Sequence, residues 1–544
     1  MGERLLRLTG PHRVLLLSVL VGVVVGFVVA GFEQVVAHWL LEWTLGLPGW
    51  PRGLVPVVGL VVAWAALRYL GRGASPATAD EYLHSYHDLD GEVVTTVAPA
   101  KVVATAATLG SGAALGFEGP AIYLGSLVGG IAGHRFRRFI APRDRRTLLV
   151  AGAAAGVAAI FKTPATGAVF ALEVPYHDDT ASHAIGPAIV AAAAGYVVYA
   201  AVFGFARLFP ITGSSPIRAT ELVGAAVLGL AAGLGARGFA WCTRSAKWVN
   251  ARVAAGWRIA GAGVVLAGLS WATWWVYDAP VSMGSGSLAI AWSTAPGRAV
   301  GLLVLLAVIR VVATTVTLGG GGAGGVFIPL FAEGWLVGAV LAVVLHDHSL
   351  VYPAIGAAAF LGAGYRVPIA AVVFVAESTG RPGFIVPALV ATAVAMLAMG
   401  TWSVTALQRR MRLDRIDRLM EETVGAATEP VTTCAVGDPV AAALAPDRAV
   451  VLCADGRFVR VLDRVRLRAA LAADPEARIA DAAAAEPTAG APVPPQTTLG
   501  AARDLLTGPG AHALVPVCAE GVCLGVVTAA SILARTRPPD EVEG

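Results

Sequence analysis

The chain has 544 residues, of which 56% are hydrophobic and only 14% charged, and its mean hydropathy is +0.71. Soluble globular proteins carry about 25% charged residues, so this composition excludes an ordinary soluble enzyme and a disordered chain alike. The net charge of +4 is too small to argue for a nucleic-acid partner, and five scattered cysteines give no disulfide framework.

Crossing a bilayer core of about 30 Å takes about 20 apolar helical residues. Such runs are predicted over 14–31, 53–70, 98–133, 147–172, 185–205, 219–240, 254–276, 300–316, 325–345, 354–376 and 385–402. The first is too long for a signal-peptide core and reads as a retained helix. Several runs are broken by glycine or proline. Broken helices at membrane depth survive only where protein or a wet cavity surrounds them, which suits a channel or transporter. Basic clusters at 4–13, 135–146, 237–258 and 409–418 predict a multi-pass protein of the cell membrane with both termini cytoplasmic. From about 421 the composition turns to short Val/Leu strands, Ala-rich helices and acidic residues, as expected of a soluble α/β domain.

An internal repeat organises the membrane part. Residues 101–129, KVVATAATLGSGAALGFEGPAIYLGSLVG, align without a gap with 310–338, RVVATTVTLGGGGAGGVFIPLFAEGWLVG. A second pair follows in the same order: FKTPATGAVFALE (161–173) and YRVPIAAVVFVAE (365–377), each with proline and glutamate nine apart. The halves run over about 10–210 and 215–420. Duplicated halves with interrupted segments at matching positions point to a binding site where the halves meet.

Each half carries a glycine-rich break, then a proline and a new helix: Gly116-Phe117-Glu118-Gly119-Pro120 and Gly325-Val326-Phe327-Ile328-Pro329. Helix starts present unpaired N–H groups and the positive end of the dipole, so they attract anions. The alternative is that these glycines only allow close helix packing. Glu118 favours the site, because a carboxylate inside an apolar run is costly and functional by default. At a helix start it is a tethered competitor for an anion, and protonation would release it. Lys101 and Arg310, equivalent in the repeat, either hold anions by their potential or snorkel toward a surface. Glu173 and Glu377 read as helix-end hydrogen-bond partners, Lys162 and Arg366 as vestibule residues, and His346-Asp347-His348 as a solvated loop. The histidines show no metal-ligand spacing, and Cys518 with Cys523 makes no zinc site without further ligands.

The two glycine-rich motifs, with AGVAAIFKTPATGAVFALEV ending at Val174, resemble the signature segments of CLC chloride channels and chloride/proton exchangers, over about residues 1–420. The resemblance implies a mostly α polytopic membrane fold with an inverted repeat of broken helices. It further implies a homodimer with one anion pathway per subunit, and Glu118 as the gate. Gly116, Phe117, Gly119, Val326, Phe327 and Ile328 would surround the anion, chiefly through backbone amides near Phe327 and Ile328. The family's Gly-Ser-Gly-x-Pro filter segment reads Gly71-Arg72-Gly73-Ala74-Ser75-Pro76 here, which leaves Ser75 as the filter ligand. The late filter tyrosine falls at Thr405.

Where proton-coupled members carry an internal glutamate, this chain has Val174. The expectation is therefore a passive, glutamate-gated chloride channel. The alternative is a proton-coupled antiporter using Glu118 and another acceptor, with Glu333 as the candidate. A membrane-embedded hydrolase is disfavoured, since neither His-Glu-x-x-His nor a membrane-borne Gly-x-Ser-x-Gly occurs. The tail, 421–544, resembles a pair of CBS modules. Arg466 and Ser531 stand where nucleotide-binding modules carry an acid, so no nucleotide or other cofactor is expected there.

Overall fold

The computed structural model describes residues 10–87, 94–211, 219–347, 349–405, 407–411, 420, 422–445, 448–482, 489–507 and 512–536. The chain divides into two units, Met1–Arg412 and Leu413–Gly544.

In the first unit, sixteen α-helices of seven residues or more fall into two sets of eight among the described residues. The first set is α1 (Gly10–Glu33), α2 (Gly49–Ala65), α3 (Ala79–His87), α4 (Ala98–Gly110), α5 (Glu118–Arg135), α6 (Pro142–Phe161), α7 (Pro164–Glu173) and α8 (Ile185–Phe203). The second is α9 (Ala219–Arg252), α10 (Ala255–Tyr277), α11 (Ser287–Ser293), α12 (Val300–Gly319), α13 (Phe327–Val344), α14 (Val351–Tyr365), α15 (Pro368–Thr379) and α16 (Ile385–Met399). Packing repeats with the elements: α5 lies on α6 as α13 lies on α14, and α1 on α8 as α9 on α16. The halves meet through α2 with α10 and α7 with α15.

The long apolar runs break where the backbone must turn. The predicted span 98–133 is two helices, α4 and α5, separated by the glycine-rich segment 111–117. Runs 147–172 and 354–376 each split before proline, at Lys162-Thr163 and Arg366-Val367. Lys162 (φ 54°) and Arg366 (φ 58°) both cap the preceding helix in the left-handed conformation. Proline then opens the next helix, where its missing N–H costs nothing. Lys162 Nζ donates to the Phe203 carbonyl at 3.1 Å, and Arg366 pairs with Asp178 at 3.1 Å. The first helix also continues past the predicted residue 31, through a π-helical stretch, Gln34–Leu41, to Gly46.

Crossings inside each half are backbone on backbone. A Cβ on Gly125 or Gly129 of α5 would run into the carbonyls of Gly152 and Leu148 on α6, and one on Gly334 or Gly338 of α13 into those of Gly356 and Tyr352 on α14. These glycines occupy equivalent repeat positions. Among the described residues, eight stretches are long and apolar enough to cross a membrane.

In the second unit, β1 (Thr432–Cys434) runs parallel to β2 (Val450–Ala454), which pairs antiparallel with β3 (Arg457–Leu462). β4 (Leu514–Ala519) and β5 (Val522–Thr528) form a hairpin with Cys518 opposite Cys523. Helices Val440–Leu444 and Arg464–Ala473 flank the first strand pair, as Leu499–Thr507 and Ala529–Thr536 flank the second. The unit is thus a doubled helix-strand-strand-helix pattern. All five cysteines are free. Burial, with the neighbouring Cys523, pushes the Cys518 thiol up to about 12.

A Gly152→Leu substitution should force α5 and α6 apart and destabilise the membrane unit by roughly 1–3 kcal/mol. Thermal unfolding in detergent, followed by tryptophan fluorescence, checks this; an unchanged midpoint would show the crossing to be loose.

Candidate functional site

The two glycine-rich motifs meet. Gly116 and Gly325 exchange both backbone hydrogen bonds, at 2.8 and 2.9 Å, as an isolated antiparallel bridge. A Cβ at either glycine would collide with the Glu118 carboxylate, so only glycine permits the cradle. Helices α5 and α13 start immediately beyond the bridge. Glu118 is 3% exposed. Its Oε1 accepts the Phe327 N–H at 2.5 Å, and its Oε2 is buried without a partner among the described residues. The carboxylate of one half therefore sits at the helix start of the other, where the helix-end N–H groups and dipole favour negative charge.

Phe327 is held by packing rather than by polar contacts. Its ring is fully buried and lies 4.7 Å from Phe161, 5.0 Å from Phe374 and 5.2 Å from Phe170, centroid to centroid. Those rings come from α6, α15 and α7. The aromatic cluster fixes the donor's direction, so little reorganisation is needed when an anion replaces the carboxylate. Phe117 and Val326 are half-buried, and Gly119 and Ile328 buried, in the same two segments.

The equivalent glutamates hold the helices on which those rings stand. Glu173, closing α7, accepts the Ile369 and Ala370 amides of α15 at 3.2 and 2.8 Å. Glu377, in the last turn of α15, accepts the Ala165 and Thr166 amides of α7 at 3.0 and 2.8 Å, and the Thr166 hydroxyl at 2.6 Å. Each helix is capped by the other's carboxylate.

Lys101 and Arg310 are committed in the same way. Lys101 Nζ donates to Glu81 at 2.6 Å and to the Ala77 carbonyl at 2.7 Å. Arg310 donates to the carbonyls of Ser282 at 2.7 Å and Gly284 at 3.0 Å. Both are buried, and each pins the loop preceding the short helix of its half. Neither snorkels to a surface. Glu333 is buried near Arg310.

A cavity of about 500 Å³ opens beside the bridge, lined by Asp80, Lys247, Arg258, Val326, Tyr365 and Thr405 among others. Ser75 also lines it, and its hydroxyl accepts the Ala77 amide at 3.2 Å. The hydroxyl of that loop which reaches the motifs is instead Thr78. It donates to the Gly324 carbonyl at 3.5 Å and lies against Gly119. Thr405 donates to Asp80 Oδ1 at 2.8 Å. The phenol on this cavity belongs to Tyr365, which faces the Val326 backbone amide. Val174 is buried in helix packing, with its carbonyl accepting from Gln408 at 2.9 Å, and it is not among the cavity's lining residues. Thr78, Asp80 and Tyr365 were not singled out from sequence, although Tyr365 matches Phe161 in the repeat and so adds one hydroxyl. His346 is exposed and Asp347 caps Ser349 at 2.8 Å; His348 lies outside the described residues. Among the described residues, no three His, Cys, Asp or Glu side chains gather as a metal site.

The family model for voltage gated chloride channels matches residues 58–400. The chain belongs to this family. Residues aligned with the H(+)/Cl(-) exchange transporter ClcA of Klebsiella pneumoniae are 27% identical, over 70% of this chain and 84% of that one. With the voltage-gated ClC-type chloride channel ClcB of Escherichia coli the identity is 29%, over 70% and 95%. A CLC-type fluoride/proton antiporter shares the fold, with a TM-score of 0.64 at 24% identity over 73% of this chain and 98% of that one. A eukaryotic CLC transporter matches with a TM-score of 0.60 at 18% identity, over 95% of this chain and 97% of that one. The family relatives are transporters and channels, and the membrane reading stands in place of a hydrolase.

Removing the acceptor strength of either cross-cap should cost about 1 kcal/mol. Glu173→Gln and Glu377→Gln should each lower the thermal midpoint of the membrane unit while anion flux keeps its pH dependence. A normal midpoint with altered pH dependence would make these glutamates transport residues.

Proposed function

We propose that the chain is a proton-coupled chloride antiporter in which the Glu118 carboxylate and the transported anion alternate at the start of α13. The observation that carries this reading is the 2.5 Å bond from Phe327 N–H to Glu118. It puts a titratable group in the anion's place and buries it there. A carboxylate competes with chloride for that amide; a carboxylic acid does not, so proton uptake and anion entry become one event. Likeness to an exchange transporter at 27% identity supports it.

The expectation of a passive channel rests on Val174, whereas the likeness to an exchange transporter favours coupling. A passive channel gated by Glu118 is the second reading, supported by the 29% identity to a voltage-gated channel.

Thr78, rather than Ser75 alone, supplies the hydroxyl beside the bound anion, and Tyr365 supplies the phenol that Thr405 lacks. Lys247 and Arg258 belong to the basic cluster at 237–258, so the cavity opens to the cytoplasm by the positive-inside rule, with both termini on that side. The doubled tail is a CBS-type pair without a nucleotide ligand, and two copies of the chain form a dimer with separate pathways.

Protonation frees the gate, so flux through wild-type protein in liposomes should rise on acidification, by up to about tenfold per pH unit while the carboxylate form dominates. Glu118→Gln should give a flux independent of pH and abolish coupled proton movement. Retained pH dependence in that variant would contradict the gating role. Thr78→Val removes one donor from the anion's surroundings and should weaken chloride binding by about 1 kcal/mol, measured by calorimetry on purified protein; unchanged affinity would place Thr78 outside the site.

A further inference from the structure

If Glu118 exchanges protons with the outside while it gates the anion, protons must also reach it from the cavity side, and Val174 offers no group for this. We propose that Asp80 is the inner proton acceptor, passing protons across the cavity to Glu118; this rests on the antiport reading.

Asp80 stands in the first turn of α3, which the Lys101 anchor holds against the cavity. Its side chain is 20% exposed and is bonded at 2.7 Å by Lys247 Nζ of α9. Its other oxygen accepts from Thr405 at 2.8 Å. The same cavity is also lined by Gly325 and Val326, and the Glu118 carboxylate lies against Gly325. Tyr365 is the shared neighbour: its phenol lines the cavity and feels both the Glu118 and the Asp80 charge. Asp80 therefore lines a space of about 500 Å³, roomy enough for several waters, with Thr405 and Tyr365 beside it, and the Glu118 carboxylate lies just beyond the Gly325 backbone that bounds it.

Paired with Lys247, the Asp80 carboxylate adds little net charge to the anion route, and it can still take up a proton from the cavity. A proton from the inner solution binds Asp80 and breaks its attraction to Lys247. The same proton then crosses to Glu118 when that side chain leaves the Phe327 amide, and Asp80 returns to the carboxylate and to Lys247. One proton enters at Asp80 and one leaves from Glu118 on the opposite side. The groups facing Asp80 are Lys247 from α9, Arg258 from α10 across the cavity, Tyr365 from α14 and Thr405 beyond α16, with Glu81 and His84 on its own helix. Glu81 is taken by Lys101, and His84 points to the exposed side.

The test is Asp80→Asn in the full chain, reconstituted beside wild type, with chloride and proton fluxes measured together. Asparagine keeps the size and can still accept the Thr405 hydroxyl. Chloride flux should persist while protons moved per chloride fall roughly tenfold or more, the loss expected when a positioned acid/base is removed. Wild type moving chloride without protons would overturn the antiport reading and this proposal with it. Coupled wild type and an equally coupled Asn variant would overturn the Asp80 role alone. Loss of both fluxes in a folded Asn variant would also overturn it, making Asp80 a structural clamp. Should that variant not fold, Lys247→Met decides: without the adjacent ammonium the carboxylate binds protons more readily, so coupling should persist with its pH profile displaced to higher pH. An unmoved profile would overturn the proposal.

Discussion

The contact on which the rest of the structure depends is a carboxylate from one half lying on the helix start of the other. Burying the Glu118 charge is costly, and an isolated carboxylate would protonate instead. The Phe327 amide and the dipole of α13 offset part of that cost, but only while both helix starts stay in register. The Gly116–Gly325 bridge sets that register, and a side chain at either position would occupy the space of the carboxylate. Because the offset is partial, the charge, a proton and an anion can compete for the same place. A full counter-charge there would hold the anion too firmly to let it pass.

Equivalent residues of the two halves do the same structural work. Lys101 and Arg310 each pin a loop, Glu173 and Glu377 each cap the other's helix, and Lys162 and Arg366 each end a helix in the left-handed conformation. The halves differ where chemistry enters. Glu118 stands opposite Phe327 in the alignment, so one half brings the acid and the other the donor. Phe161 stands opposite Tyr365, so one aromatic only packs while the other also presents a hydroxyl to the cavity. Leu124 stands opposite Glu333, which is buried near Arg310. Duplication thus supplies a rigid frame, and a few substitutions make it directional.

Much of this was legible in the chain. Apolar runs, their glycine and proline breaks, the repeat and Glu118 all depend on local pattern, which sequence displays directly. Helices α3 and α11 were missed because each is under ten residues and lies in a polar or glycine-rich connection with no span-length signal. Ser75 and Thr405 were chosen by position along a motif, yet the side chains that face the bridge, Thr78 and Tyr365, are set by how α3 and α14 pack. Asp80 is invisible locally, since its partners Lys247 and Thr405 lie more than 160 residues away along the chain.

The account's central claim is that anion and proton exchange for one another at Glu118. It is tested most directly by placing the wild-type protein in liposomes with a steep chloride gradient, clamping the voltage with a potassium ionophore, and following internal pH. Protons should move uphill, in the direction opposite to chloride, and reverse when the chloride gradient is reversed. Chloride flux with no accompanying proton movement would contradict the claim and leave a passive channel with the same gate.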